Sequence, residues 1–200
     1  MPRLPVVRFN HHYYHLSARS NNRENFYLGK EEMWQIAISE LHSLQIEFKL
    51  IIPAFVLMDN HFHLLMLTPQ EPIDRVMFFF MKNVTRKIQK RTGRINKIFG
   101  GRYKGCLIND SGYFFNAYKY VLRNPVAAHM TSYAEEYRYS TLFYFSRGLR
   151  LPLEIEEPPL PTAHTQDDIL KWINGGFEGF LADRIRFGLS RSVFQLKKKI

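Results

Sequence analysis

The sequence predicts an α+β protein with a ferredoxin-like antiparallel sheet, helices packed on one face, and a C-terminal helical extension. Two observations support this class. Strand-like and helix-like patterns follow one another in the order strand, helix, strand, strand, helix, strand, helix. That order is typical of an antiparallel sheet with packed helices. A stretch rich in proline and acidic residues then precedes a second helical pattern.

The first strand is predicted within residues 6–18, which read VVRFNHHYYHLSA and are rich in β-branched and aromatic residues. His11, His12 and His15 lie in this segment. Since no partner occurs at a recognisable spacing, we interpret them as strand or partner-facing residues rather than metal ligands. The polar stretch RSNNREN follows and predicts a turn.

A central hairpin carries the first chemical signal. Residues 56–68 read VLMDNHFHLLMLT, in which two apolar runs flank a turn-forming Asp-Asn pair. Because strand side chains alternate, His61 and His63 project from one face and Phe62 from the other. Two neighbouring neutral imidazoles on a rigid strand provide half of a metal site. Two strand histidines are more often ordinary surface or core residues, so a second element is required.

Two amphipathic helices are predicted before and after this hairpin. Residues 31–48 and 74–91 repeat apolar side chains at helical spacing. The second of these helices also carries a basic side, formed by Lys82, Arg86, Lys87, Lys90 and Arg91. Charged helix faces are usually solvated, so this side indicates a phosphate-binding role without being specific for it.

A third helix is predicted over residues 111–124, with a capping signal at Asp110 and an end at Pro125. Tyr120 and Asn124 are four residues apart and therefore share one stripe of this helix. A phenol and an amide on that stripe could meet the two imidazoles across a shallow cleft.

Composition indicates an anionic partner and a reducing compartment. The formal net charge is +10, and 15% of the residues are aromatic. Nucleic acid is the first candidate, because basic surfaces bind phosphates and aromatic rings stack on unpaired bases. The alternative is that the charge only keeps the protein soluble. The single cysteine, Cys106, excludes an internal disulfide and a cysteine-rich zinc site. No segment resembles a secretion signal or a membrane span, so we expect a soluble cytoplasmic protein.

Several segments, taken in order, resemble one enzyme family. They read VLMDNHFHLLMLTP around the histidine pair, GRYKGCLIND from Gly101, and YVLRNPVAAHM from Tyr120. These segments resemble the HUH single-tyrosine transposases, especially their REP-associated relatives. The resemblance runs from Tyr14 to about Tyr144, and the shared order of motifs makes it specific.

The resemblance implies a reaction and assigns roles. Such enzymes cut one DNA strand, form a covalent 5′-phosphotyrosine link and leave a 3′-hydroxyl that can later rejoin strands. By motif position Tyr120 matches the nucleophile, and Asn124 matches a third metal ligand beside His61 and His63. Mixed imidazole and oxygen ligation suits Mn²⁺, and Mg²⁺ is also compatible. Tyr118 lies two positions from Tyr120 and faces elsewhere, which favours a packing role.

Single-stranded or hairpin DNA, in particular repeated extragenic palindromes, is the partner that the resemblance implies. The residues expected to contact DNA are Arg19, Asn21, Asn22, Arg23, Lys82, Arg86, Arg102, Lys104 and Arg123. The chain departs from the commoner family pattern at Ala127 and Ala128, where a basic residue often occurs. We therefore expect DNA recognition to differ while the catalytic set is retained.

Three segments are predicted: a transposase-like catalytic domain at 1–146, a proline-rich connector at 147–165, and a helical extension with a basic tail at 166–200. The extension could cover a dimerisation surface, so we favour a monomer over a homodimer. A cytoplasmic, nucleoid-associated location follows from the expected DNA partner.

Two other functional classes remain open on the sequence alone. The chain could be a noncatalytic nucleic-acid-binding protein that uses its sheet as a stacking platform. It could instead be a metal-dependent phosphodiesterase in which water is the nucleophile and Tyr120 positions the substrate.

Overall fold

The structure is a computed structural model that describes residues 7–9, 11–156 and 165–196. Its strands are β1 (Tyr13–Arg19), β2 (Ile51–Leu57), β3 (His61–Leu67) and β4 (Lys104–Ile108). Its helices are α1 (Lys30–Phe48), α2 (Ile73–Thr92), α3 (Ser111–Ala127), α4 (Thr141–Ser146), α5 (Gln166–Asn174) and α6 (Leu181–Leu189). The start of the predicted first strand, residues 157–164 of the proline-rich connector and residues 197–200 of the basic tail lie outside the described residues.

The sheet is antiparallel throughout and has the strand order β2-β3-β1-β4. In chain order the elements β1, α1, β2, β3, α2, β4 and α3 follow one another as the sequence predicts. The α+β class, with a ferredoxin-like antiparallel sheet, is therefore confirmed. No helix within the described residues is both long and apolar enough to cross a membrane.

Each face of the sheet packs against its own layer of helices. On the first face α1 and α2 cover a core that includes Leu16, Phe62 and Leu64. This is the layer that the sequence predicts. On the second face α3 packs with α5 and α6 over Leu65 and Cys106. The alternation of strand side chains thus supplies two cores, and the C-terminal extension contributes to the second.

Segments outside the named strands cover both edges of the sheet. At the β2 edge the amide of Leu57 donates to the carbonyl of Tyr139 at 2.9 Å. At the β4 edge the amide of Leu107 donates to Ser192 at 2.9 Å, and its carbonyl accepts from Phe194 at 2.8 Å. Phe194 is fully buried. Since open strand edges are prone to pair with other chains, these contacts protect both edges of the sheet. The contacts at the β4 edge also anchor the extension.

The end of α3 differs from the sequence prediction. The helix continues to Ala127, beyond the predicted end at Asn124. Pro125 has no amide hydrogen to donate to the carbonyl of Val121. The side-chain amide nitrogen of Asn124 lies 3.4 Å from that carbonyl and 2.8 Å from the carbonyl of Tyr120. The side chain of Asn124 therefore donates the hydrogen bond that Pro125 cannot donate, and the helix continues beyond Pro125 to Ala127.

Candidate metal and nucleophile site

The pairing of β1 with β3 assembles three histidines on the second face of the sheet. Ser17 is opposite His63, and Arg19 is opposite His61. His15 therefore shares their face and lies diagonally from His63, where the two rings stack with centroids 5.1 Å apart. The rings of His61 and His63 are 5.0 Å apart. The sequence prediction did not include His15 as a partner of this pair.

Hydrogen bonds define which ring nitrogens remain for a ligand. Nδ1 of His61 lies 2.8 Å from Oδ1 of Asn60. Because an amide oxygen only accepts, Nδ1 carries the proton and Nε2 holds the lone pair. Nδ1 of His63 is bonded to Nε2 of His15 at 2.9 Å, which leaves Nε2 of His63. Outer partners of this kind orient metal-bound imidazoles, so both rings fit a metal site.

Burial keeps these imidazoles neutral. It lowers the pKa of His15 to about 4 and, together with the positive charge of Arg19, lowers the pKa of His61 to about 4. The pKa of His63 falls well below its ordinary value, first because of burial and then because of its two histidine neighbours. All three rings are uncharged at neutral pH, which is the form that binds cations.

Tyr120 of α3 faces the histidines. Its ring centroid is 6.1 Å from that of His63 and 6.3 Å from that of His15, both in edge-on arrangements. Burial raises the pKa of the phenol, while the nearby guanidinium of Arg186 in α6 acts in the opposite direction. The phenol is therefore protonated at neutral pH, and it must lose its proton to act as a nucleophile.

The neighbouring tyrosines of α3 have packing contacts. Tyr118 is 6% exposed and stacks on Phe114 with ring centroids 6.1 Å apart. Tyr113 packs against Phe194 at 5.0 Å. Neither contact directs the ring to the histidines, so Tyr120 is the tyrosine of α3 that the fold places against them.

Asn124 follows Tyr120 by one helical turn and is half-buried. Both hydrogen bonds of its side chain use the amide nitrogen, so neither bond uses Oδ1. The helix packs Phe114 on Tyr13 near the start of β1 and reaches His15 at Tyr120. Its next turn therefore continues in the direction of His61.

Within the described residues, no group of three or more His, Cys, Asp and Glu side chains is arranged to hold a metal ion. The ring nitrogens Nε2 of His61 and Nε2 of His63 fit two positions of such a site. A further protein ligand would therefore have to be of another chemical type, such as an amide oxygen.

Part of the predicted DNA-contact set lies beside the histidines. Arg19 is directly opposite His61, and Lys104 is opposite Ser17 in the same cross-strand row as His63. Residues 21–23 form a 3-10 turn next to this site. The side chain of Asn60 fixes that turn by donating to the carbonyl of Arg23 at 2.7 Å. Arg19, Asn21, Asn22, Arg23 and Lys104 are thus grouped at one end of the sheet.

The remaining predicted contacts lie elsewhere. Lys82, Arg86 and Arg102 line a groove between α2 and the segment that precedes β4. Arg123 has an internal role that the sequence did not predict. Its guanidinium donates to the carbonyls of Ile173 and Asn174 at 2.9 and 2.7 Å, which satisfies the C-terminal end of α5.

Comparison with known proteins places this fold. No protein-family model matches the sequence, and no curated protein matches it. Among solved structures, a REP-associated tyrosine transposase bound to a REP hairpin superposes with a TM-score of 0.60 and 15% identity. The match covers 82% of this chain and 98% of that one.

A protein assigned as a transposase in Deinococcus radiodurans R1 also matches, with a TM-score of 0.40 and 16% identity. That match covers 65% of this chain and 94% of the other. The superposition with the TM-score of 0.60 confirms the resemblance recognised in the motifs as a shared fold: the chain has the fold of a REP-associated tyrosine transposase.

Proposed function

We propose that this protein cuts and joins single strands of DNA, with Tyr120 as the nucleophile and a divalent cation as cofactor. The observation that carries the proposal is the position of the Tyr120 ring against His63, whose Nε2 remains for a ligand. The order of motifs and the shared fold add support. A hairpin-bound structural neighbour also makes hairpin DNA, such as repeated extragenic palindromes, the preferred substrate class.

In this proposal Nε2 of His61, Nε2 of His63 and Oδ1 of Asn124 hold Mn²⁺ or Mg²⁺. The cation, when bound, neutralises charge that develops on the oxygens of the scissile phosphate. Asn60 and His15 are positioning residues, since their hydrogen bonds fix the two rings. The buried, neutral state of the rings favours cation binding over protonation at neutral pH.

Tyr120 performs the covalent step. Its oxygen forms a bond to phosphorus, and the bond between phosphorus and the 3′ oxygen of the preceding nucleotide breaks. The phenol loses its proton to solvent, and the departing 3′ oxygen takes up one proton to become a hydroxyl. Attack of a 3′-hydroxyl on the phosphotyrosine reverses these changes and joins strands.

Arg19, Lys104 and the turn at residues 21–23 hold the DNA backbone beside the reacting phosphate. Arg19 is the closest of these to the proposed ligands, because it is the cross-strand partner of His61. Its guanidinium can approach a phosphate with two parallel hydrogen bonds. We propose that the protein acts as a monomer, since the extension already occupies the second face of the sheet.

The test is adduct formation with a hairpin oligonucleotide labelled at its 3′ end, because the 5′-phosphotyrosine retains the fragment downstream of the cut. With Mn²⁺ present, the wild-type protein should yield a labelled band that survives denaturation. Tyr120→Phe removes the attacking oxygen and keeps the ring, so the band should vanish while DNA binding persists. Tyr118→Phe is the matched control on the same helix and should form the adduct.

Three outcomes would contradict the proposal. Cleavage without an adduct would indicate that water is the nucleophile, and binding without cleavage would indicate a noncatalytic nucleic-acid-binding protein. An adduct that persists in Tyr120→Phe would transfer the role to another tyrosine.

A further inference from the structure

A groove on the outer side of the first helix layer combines an apolar wall with a basic rim. It has a volume of about 640 Å³ and lies between α2 and residues 97–103. Buried Met77 and Ile98 form part of its wall. The ring of Phe78 is also part of the lining and is 59% exposed. A large aromatic ring left open on a helix is a stacking surface for a planar ligand.

Two cations of α2 that do not line this groove are paired with α1. Nζ of Lys87 lies 2.5 Å from Glu40 of α1. Nε of Arg91 lies 3.2 Å from Glu32 of the same helix. These two bridges tie the helices of the first layer together, so their positive charges already have partners.

Three of the cations that line the groove are different. Lys82, Arg86 and Lys97 are all exposed, and none of the ion pairs among the described residues involves them. The ammonium group of Lys82 lies over the Phe78 ring at 5.4 Å. The rim therefore carries positive charge beside an aromatic surface, a combination that fits a base with its phosphates.

The one acidic residue in the groove lining does not offset this charge. Asp74 accepts a hydrogen bond of 2.6 Å from the hydroxyl of Tyr103 and is also paired with Arg8. Burial opposes its ionisation, but these two bonds hold the pKa of the carboxyl below its ordinary value. Its negative charge is thus neutralised within the protein.

The groove wall is joined to the proposed active site. The amide of Asn21 donates to the carbonyl of Ile98 at 2.7 Å, and the amide of Gly100 donates to the carbonyl of Arg19 at 3.0 Å. A Cβ at Gly100 would lie 3.2 Å from the carbonyl oxygen of Ser20, so glycine permits this close approach. Since Arg19 is opposite His61, the groove borders the same end of the sheet.

We propose that this groove binds an unpaired nucleobase of the DNA substrate, stacked on Phe78, with flanking phosphates at Lys82, Arg86 and Lys97. The proposal rests on the proposed function for the identity of the polymer. It adds a second binding site, separate from the histidines, that selects single-stranded nucleotides next to a hairpin. A double helix cannot use the site, because its bases are already stacked.

Base stacking is tested with a hairpin oligonucleotide whose single-stranded flank contains 2-aminopurine, in EDTA so that no cleavage occurs. Binding is followed by anisotropy and stacking by 2-aminopurine fluorescence. Phe78→Ala should weaken binding roughly tenfold or more, the usual effect of losing one stacked base. Phe78→Leu should retain apolar bulk but lose fluorescence quenching. Phe180→Ala is the control, because Phe180 is 78% exposed and does not line the groove.

Phosphate contact is tested by salt titration of the same complex. Arg86→Gln should reduce the slope of log affinity against log salt by about 0.7, the value for one phosphate on a single strand. Lys171→Gln makes the same charge change at an exposed position of α5, outside the groove lining, and should leave the slope unchanged.

Wild-type affinity and quenching in Phe78→Ala, or equal slopes for Arg86→Gln and Lys171→Gln, would overturn the groove proposal. Concentration-dependent self-association that Phe78→Ala abolishes would overturn it too, since a second copy would then be the occupant. Failure of the proposed function has a different signature. In that case the stacking results hold, but wild-type protein with Mn²⁺ forms no adduct.

Discussion

The two faces of the sheet use the same strands for opposite purposes. On β3, Phe62 points to the first face and His63 to the second. Phe62 is 1% exposed and contacts other aromatic rings, including Phe80 and Phe99 at 5.5 and 6.3 Å. His63 is 7% exposed and contacts two histidines and a tyrosine. One face therefore holds a closed apolar core, and the other holds buried polar groups.

The difference teaches how chemistry can be buried without destroying the fold. A buried polar group costs free energy unless it is hydrogen-bonded. His15 and His63 meet this condition by bonding to each other, and His61 meets it by bonding to Asn60. Phe62, Phe80 and Phe99 on the first face have no polar side-chain atoms, so their contribution to stability depends on shape and apolar area. Substitutions on the two faces should therefore separate stability from activity.

The largest effect is expected on the first face. Phe62→Ala should lower the free energy of unfolding by about 3–5 kcal/mol, because it removes a fully buried ring and leaves a cavity. Urea denaturation at neutral pH measures this loss. Phe62→Leu fills most of the cavity and should recover much of the stability. A loss below about 1 kcal/mol for Phe62→Ala would contradict the assignment of this face as the stabilising core.

Lowering the pH should reduce the stability of the protein through the buried histidines of the second face. The pKa of His15 is about 4 in the folded protein and about 6.5 when unfolded, so between these values the unfolded chain binds more protons. The free energy of unfolding should therefore fall as pH is lowered from about 6.5 to about 4, by about 3 kcal/mol from His15. Urea midpoints at several pH values test this, and His15→Gln should show a shallower dependence.

His63→Ala should lower the rate of adduct formation about 100-fold, which corresponds to about 2.7 kcal/mol. It should also weaken Mn²⁺ binding, measured by calorimetry in the absence of DNA. Stability should fall less than in Phe62→Ala, by about 1–3 kcal/mol for the unpaired His15. His129→Asn is the control, because His129 is exposed and lies beyond the end of α3. If His63→Ala bound Mn²⁺ with unchanged affinity, His63 would not be a metal ligand.

Asn124→Ala should have the smallest of these effects, about tenfold on adduct formation, or about 1.4 kcal/mol. Water can replace a neutral amide oxygen more readily than it can replace an anchored imidazole. The substitution also removes the donor to the carbonyls of Tyr120 and Val121, so circular dichroism should accompany the kinetics. A loss larger than that of His63→Ala would indicate that Asn124 acts chiefly by holding α3 in place.

The sequence by itself determined the order of the elements and the shared face of His61 and His63. It also placed Tyr120 and Asn124 on one helical stripe. These features follow from backbone geometry, because side chains repeat every two residues in a strand and every 3.6 in a helix. A reading of local pattern can therefore find them without knowing what packs against them.

Only the tertiary structure decided that His15 completes the histidine cluster, since its bond to His63 joins residues 48 positions apart. Only the tertiary structure shows that Arg123 bonds to the end of α5. Only it shows that Lys82 and Arg86 lie in the groove beside α2 and not with the histidines. Strand register and the packing of distant helices set these contacts. Strand register and helix packing produce no periodic pattern in the sequence of these residues. The candidate site was therefore only partly predictable from the sequence.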